Sequence, residues 1–439
     1  MAYPDFSAAQ DCVSCGLCLP HCPTYREYPV EMASPRGRIQ LMKGLHSGEL
    51  APGEALDEHL SLCLACRACE TACPSAVKFG TLIESARVVL RQGRRGSWGQ
   101  RLGDLFMRHV FPRQGRLASV AALMRLYQTS GLQRLLRETP FARLLPGRLG
   151  ELESMMPETS EFGAMLGMAA EHEPFGAERG RVGFLSGCVM QLTMAATNSS
   201  SVDVLRFNGF RVFVPPAQRC CGALHLHNGY LPEARELARA NIAAFEAAGV
   251  EAIVTNDAGC GITLMEYGML VDVDPVWAAR AAAFRARVRD IQEFLAERGL
   301  RPPSGRVAVR AVYDDPCHLL HGQKVKVQPR QLLRAIPGLE LAEAPEADWC
   351  CGSAGIYNIT HTEMSLAILR RKVDDLLSTQ PDVVVTANPG CAFQLRYGLR
   401  RAGHDVPVLH VMDLLALAYR DEGAPPAIPP GLARKEPPV

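Results

Sequence analysis

The sequence predicts an α/β protein with a cysteine-rich helical region at its N-terminus, and three observations carry that prediction. Apolar runs of strand length alternate with helical patterns through the second half of the chain. A four-cysteine pattern occurs twice in that half, at a near-constant offset. A tighter pattern, CVSCGLCLPHCP, opens at Cys12 and returns as CLACRACETACP at Cys63.

Composition fits this class and excludes others. A chain of 439 residues has room for two or three domains. Hydrophobic residues make up 48% and charged residues 21%, which suffices for ordinary cores. A net charge of +1 sets up no global field toward nucleic acid. The opening MAYPDFSAAQ lacks a basic stretch followed by an apolar one, so no signal peptide is expected. No apolar run reaches the length of a spanning helix. In a cytoplasmic setting, 16 cysteines read as metal ligands rather than disulfides.

Residues 1–90 hold both tight cysteine runs. Between them, Ser34 and Pro35 read as the N-cap and first turn of a helix over SPRGRIQLMKGL, and GEALDEHLSLC reads as a second helix. The runs are therefore joined by helices. C-x2-C-x2-C-x3-C-P is the spacing of bacterial [4Fe–4S] ferredoxin ligands, in which the fourth cysteine serves the other cluster. That assigns Cys12, Cys15, Cys18 and Cys73 to one cluster and Cys22, Cys63, Cys66 and Cys69 to a second. Pro23 and Pro74 end the runs and shield the sulfurs. The competing reading is a pair of four-thiolate zinc sites.

Residues 91–180 form an Arg-rich helical region and an acidic connector. Ala86–Gly150 carries 13 arginines, no lysine, and two acids, Asp104 and Glu138. Apolar residues recur there at helical spacing, in LASVAALMRLY and LQRLLRETPFARLL. The expectation is helices whose apolar faces cover neighbouring domains while arginines face water. The alternative is a basic face that meets an anionic membrane, tested at Arg91, Arg94, Arg95, Arg101 and Arg108. Glu151–Glu178 reads as a loose linker.

Residues 181–300 and 301–420 are the two repeats. The first holds Cys188, Cys220, Cys221 and Cys260; the second holds Cys317, Cys350, Cys351 and Cys391. Strand-like runs precede the outer cysteines, in VGFLSGC, AIVTNDAGC, VAVRAVYDDPC and VVVTANPGC. Helical patterns follow the pairs, in LPEARELARANIAAFEAAG and EMSLAILRRKVDDLL. Parallel sheets follow from that alternation, with the cysteines at the strands' C-terminal ends. Adjacent cysteines are not expected both to point into a packed core, so each Cys-Cys-Gly turn reads as a ligand platform. Each set could hold an iron–sulfur cluster or zinc, or be free thiols kept for packing. His318 and His321, and less so His225, His227 and His361, are candidate ligands or proton carriers set against plain core or surface histidines. Residues 421–439 read as a disordered Pro-rich tail. No G-x-G-x-x-G, G-x4-G-K-[ST] or H-E-x-x-H is found, and no catalytic residue is assigned.

From Cys12 to about Tyr419 the chain resembles the iron–sulfur subunit of bacterial glycolate oxidase (glycolate dehydrogenase). The likeness rests on CVSCGLCLPHCPTY, SPRGRIQLMKG, CLACRACETACPS, CCGALHLHNG, CCGSAGIYNITH and VVVTANPGC. It implies a ferredoxin-like domain with two [4Fe–4S] clusters, then two CCG repeats shared with heterodisulfide reductases. It also implies a relay that takes electrons from a partner flavoprotein oxidising glycolate to glyoxylate and passes them toward a membrane acceptor such as quinone. Flavin would sit only on the partner subunits, so the chain would not be active alone. It would be cytoplasmic, with peripheral membrane contact and no nucleic-acid partner. Equivalent subunits serve lactate and anaerobic glycerol-3-phosphate dehydrogenases, and a heterodisulfide- or quinone-reducing role at the repeats is a further alternative. One departure matters: the wider CCG pattern ends in C-x-x-C, but this chain has Asp257 and Asn388 at the first of those positions. Each repeat has four thiols, not five.

Overall fold

The computed structural model of the protein describes residues 4–93, 98–138, 149–156 and 168–420. The proline-rich tail, Arg94 and Arg95 lie outside these residues.

The N-terminal region is helical around its cysteine runs. Ser34 caps the helix Pro35–Ser47, its Oγ accepting from Gly37 N at 2.9 Å, and Gly48 ends the helix at φ +82°. Glu54–Ser61 is the second expected helix. A third, Phe79–Gly93, lays Leu82, Ile83, Ala86 and Leu90 into one apolar cluster with Ile39, Met42 and Leu60. The cysteine loops are thus strapped to a helical core instead of to hairpins.

The two repeats fold into two sheets. The first comprises β1 (Glu171–His172), β2 (Gly180–Leu185), β3 (Phe210–Phe213), β4 (Ala252–Thr255) and β5 (Val288–Asp290). The second comprises β6 (Arg310–Tyr313), β7 (Glu340–Ala342), β8 (Val383–Val385) and β9 (Val408–Leu409). Their orders are β1-β3-β2-β4-β5 and β7-β6-β8-β9. Apart from β1, strand for strand, the sheets match, and every pairing is parallel.

β1 was expected to be part of a loose connector. Instead it pairs antiparallel with β3, and Arg211 gathers the neighbouring acids, with Glu178 at 3.0 Å and Glu171 at 3.5 Å. The acidic stretch thus closes a sheet edge.

One hydrophobic core runs through both sheets. Val182, Phe184 and Val254 from the first join Ala311, Tyr313 and Val385 from the second. The C-terminal helix Val411–Ala418 packs into that core, and the Tyr419 ring stacks on Phe207 of the first repeat at 5.0 Å. Among the described residues, no helix is long and apolar enough to cross a membrane.

Candidate metal centres

The two tight cysteine loops share an unusual backbone. Ser14 and Gly16 lie at φ +57° and +84°, and Ala65 and Arg67, at the matching places between cysteines, lie at +52° and +64°. Left-handed conformation at a non-glycine residue costs roughly 1–2 kcal/mol. Alternation of hand turns successive N–H groups inward, making the concave nest that suits anions and iron–sulfur groups. Strain spent twice, in register with the thiols, is the local signature of a wrapped ligand.

Each loop lines a cavity. The outer one, of about 430 Å³, is bordered by five cysteines, Cys12, Cys15, Cys18, Cys69 and Cys73. The inner one, of about 320 Å³, is bordered by Cys22, Cys63, Cys66 and Cys69. Cys73 thus lies with the first run and Cys22 with the second, while Cys69 borders both cavities. Pro74 lines the outer cavity and Pro23 the inner one. Cys15 is exposed, whereas Cys22, Cys63 and Cys66 are buried. Burial pushes the thiols of Cys66 and Cys69 well above their ordinary range, aided by neighbouring sulfurs. Thiolate ligation there needs the positive charge of iron within the cavity. Cationic donors stand ready: buried Arg38 reaches Cys22 Sγ at 3.9 Å and is fixed by Thr24 Oγ1 at 3.0 Å and His59 O at 3.1 Å. Among the described residues, no three His, Cys, Asp or Glu side chains are gathered as a single metal ion would require.

In each repeat the four thiols come together. Cys188 and Cys220 Sγ atoms are 3.2 Å apart, and Cys221 and Cys260 complete the group. In the second repeat Cys351 and Cys391 are 3.2 Å apart, with Cys317 and Cys350 joined to them. All eight are free thiols. Both members of each adjacent pair are buried, contrary to expectation. The reason is that each pair sits between two cores: Cys220 belongs to one apolar cluster and Cys221 to another, and likewise Cys350 and Cys351. Gly222 and Gly352, at φ +89° and +83°, make the turn that allows this. At Gly352 a Cβ would stand 2.6 Å from Ser365 O.

Asp257 and Asn388 have acquired a different task. Asp257 Oδ1 caps the helix Ala258–Met265, accepting from Gly259 N at 2.8 Å and Cys260 N at 3.3 Å. Asn388 Oδ1 accepts from Cys391 N at 3.1 Å at the start of Pro389–Arg401. The two side chains also meet each other, Asn388 Nδ2 donating to Asp257 Oδ1 at 3.2 Å. Positions that carry cysteines in the wider pattern here hold the last thiol of each repeat in place and join the repeats. Replacing Asp257 with alanine is expected to lower stability in urea unfolding by about 1–2 kcal/mol, the range for a lost N-cap. An unchanged unfolding midpoint would refute the capping role.

The histidines turned out to be fasteners between regions. His318 Nε2 donates to Ala65 O at 3.1 Å, and His321 Nδ1 pairs with Thr71 Oγ1 at 3.0 Å. His361 Nε2 meets Ser61 Oγ at 3.1 Å, and His225 Nε2 donates to Met107 O at 2.8 Å. His227 Nδ1 donates to Glu84 Oε1 at 2.8 Å. Burial drops His318 to about 3 and His321 to about 4, so both are neutral imidazoles. These contacts press the inner cavity onto the second repeat, where Cys66, Cys317, Cys350, Trp349 and Tyr357 share one apolar cluster.

A buried ion network, missed at the level of sequence, lies beside it. Arg67 pairs with both oxygens of Glu266, Nη2 at 2.7 Å from Oε2, and lies 3.7 Å from Glu84. Gly80 leaves the room: a Cβ there would be 2.7 Å from the guanidinium. Arg87 Nη2 bonds Cys63 O at 2.5 Å and its Nη1 bonds His227 O at 3.0 Å. Only the αL backbone at Arg67, set by the cysteine loop, brings this side chain inward.

Comparison with known proteins agrees with this arrangement. The 4Fe-4S dicluster domain family matches residues 8–77, and the cysteine-rich domain family matches 182–265 and 311–396. A family described as the linker region of the glycolate oxidase iron-sulfur subunit matches 98–156. The probable glycolate oxidase iron-sulfur subunit of Bacillus subtilis is 43% identical, covering 92% of this chain and 93% of that protein. The glycolate oxidase iron-sulfur subunit of Escherichia coli is 32% identical over 89% and 90% of the two chains. Lactate utilization protein A of Oceanobacillus iheyensis is 29% identical but covers only 54% of this chain.

Proposed function

That the chain belongs to the glycolate oxidase iron–sulfur subunit family is the premise from which we propose its reaction, partners and ligands. It is an electron-transfer iron–sulfur subunit, and the reaction it serves is the oxidation of glycolate to glyoxylate by a partner flavoprotein. Iron–sulfur groups supply one-electron oxidation and reduction. The observation that carries the reading is the pair of adjoining thiol-lined cavities, outer and inner, which share Cys69, the inner one packed against the second repeat.

Cys12, Cys15, Cys18 and Cys73 hold one [4Fe–4S] group, and Cys22, Cys63, Cys66 and Cys69 hold the other. The positive-φ residues of both loops aim backbone N–H groups at them, and Arg38 balances charge at the inner one. Apolar packing around Cys66 keeps water from the inner site. The four thiols of each repeat form a further site, for an iron–sulfur group. The final acceptor is a membrane component such as quinone, and the chain works at the inner face of the cytoplasmic membrane. The half-length match of the lactate relatives gives that alternative weaker support.

The test is reconstitution. The purified chain, loaded with iron and sulfide, is expected to contain no flavin and to reduce no dye with glycolate. Adding the flavoprotein subunits should restore dye reduction and bleach the cluster absorbance on glycolate addition. Turnover by the chain alone would overturn the reading, as would lactate replacing glycolate as the better donor.

A further inference from the structure

The helix Trp98–Leu105 and the wide turn Phe106–Val110 that continues it are amphipathic in the inverted sense. Trp98, Leu102, Leu105 and Phe106 fall on one face. That face points away from the protein, and these residues are 75, 50, 55 and 37% exposed. The opposite side is anchored to the body by Asp104, whose Oδ1 accepts from Tyr230 Oη and from Arg91 Nη1, each at 2.6 Å, and by buried Met107. The helix Gln114–Thr129 turns Leu117 and Ala121 to the body, as expected of the region, but leaves Leu123 and Leu126 exposed. Among the described residues, eight of the seventeen large apolar side chains left exposed lie between 98 and 135. Exposed apolar surface concentrated in this way marks an interaction site.

The charge carried by the segment itself is almost all positive. From Trp98 to Leu136 the sequence has six arginines and a single acid, Asp104, which is turned inward. Arg101 is exposed, and Arg108 is half exposed, 3.5 Å from Glu233. Arg91 does not belong to this surface: it bonds Asn228 O at 2.5 Å and lies over the Tyr230 ring at 3.8 Å. Protein interfaces are rimmed by mixed polar groups. A line of Trp, Leu and Phe edged mainly by arginine instead matches the layering of an anionic bilayer, apolar within and negative at its surface.

We propose that Trp98–Val110 is a lipid-docking helix. It lies in the headgroup region with Trp98, Leu102, Leu105 and Phe106 inserted and Arg101 and Arg108 at the lipid phosphates. This deepens the acceptor side of the function above, since it names the surface that brings the chain to a lipid-soluble acceptor. It is read by binding and not by turnover, so its failure would leave the glycolate reaction standing.

Full-length, iron-loaded protein is mixed with vesicles of phosphatidylcholine, or of phosphatidylcholine with phosphatidylglycerol, and sedimented at low and high salt. Binding is expected only with phosphatidylglycerol, and salt should release it, because exposed charges are screened within about 10 Å at 0.1 M. Each basic residue near an anionic leaflet contributes about fivefold in partition, so Arg101→Gln with Arg108→Gln should bind roughly 30-fold more weakly. Trp98→Ser should lose both sedimentation and the blue shift of tryptophan fluorescence on vesicles, with cluster absorbance unchanged. Wild-type protein that stays in solution with phosphatidylglycerol vesicles at low salt would overturn the proposal. So would variants that sediment like wild type. Variants that instead lose their complex with the flavoprotein subunits, while wild type ignores vesicles, would make the face a protein interface and likewise overturn it.

Discussion

Changing Cys73 to serine is expected to remove the iron–sulfur group held by Cys12, Cys15 and Cys18, and to leave the one held by Cys22, Cys63, Cys66 and Cys69. The expectation is counterintuitive by position, because Cys73 follows Cys69 closely in sequence. It follows from the cavities: Cys73 borders the outer one with the first cysteine run, and the inner one is bordered by Cys22 with the second run. Electron paramagnetic resonance of the reduced variant, with iron and sulfide analysis, should show one group lost. Spectral loss from the inner group alone would refute the pairing. The reciprocal variant, Cys22→Ser, should strike the inner group and spare the outer. The inner loss should cost more stability, because that cavity is packed between the N-terminal region and the second repeat.

Arg67→Met is expected to destabilise the protein by about 3–5 kcal/mol, the usual cost of breaking a buried ion pair by removing one partner. Methionine replaces most of the aliphatic stem but not the charge. Glu84 and Glu266 would then face each other across a dry junction without their shared cation. The two carboxyls respond to that cation differently. Burial opposes ionisation of Glu84, but the His227 hydrogen bond and the charges of His227, Arg67 and Arg87 outweigh it and hold the carboxyl below its ordinary range. Burial wins at Glu266, which is raised. Because its folded pKa is depressed, Glu84 contributes stability that is complete above the unfolded carboxylate range and lost as pH falls below it. Glu266 has the opposite sign, and its burial weighs against the fold at neutral pH. Urea unfolding of wild type and Arg67→Met checks the magnitude. Pairing Arg67→Met with Glu266→Gln should recover part of the loss, and a loss below about 1 kcal/mol, within reach of an ordinary substitution, would refute the role.

Much of this architecture is legible in the amino-acid order. Thiol spacing reports local loop geometry, so the crossed cavities follow from short-range chemistry. The Ser34 cap and the repeat offset are also local signals, and the offset carries through to matched strand orders in two sheets. What is not legible is long-range or directional. Nothing near Ser61 announces a bond to His361, 300 positions away. The thiol spacing says nothing of Arg67, which stands on a left-handed backbone between Cys66 and Cys69 and is buried against Glu84 and Glu266. The helical spacing of apolar residues in the Arg-rich region does not tell that the apolar face of Trp98–Val110 points outward. Asp257 and Asn388 look like lost ligands until the helix starts they cap, and the bond between them, are seen.

The core shared by both sheets sets a condition on how the protein is made. The Tyr419 ring and the helix Val411–Ala418 complete the apolar interior of the first repeat, and Tyr419 Oη bonds Arg301 O. During synthesis, the side of Phe207 on which Tyr419 stacks waits without cover until Val411–Tyr419 has been made. Domains made first usually fold first, and exposed apolar surface in the meantime invites aggregation. Here the later helix shares the apolar interior of the first repeat, so a chain stopped short of Val411 would leave part of that interior uncovered.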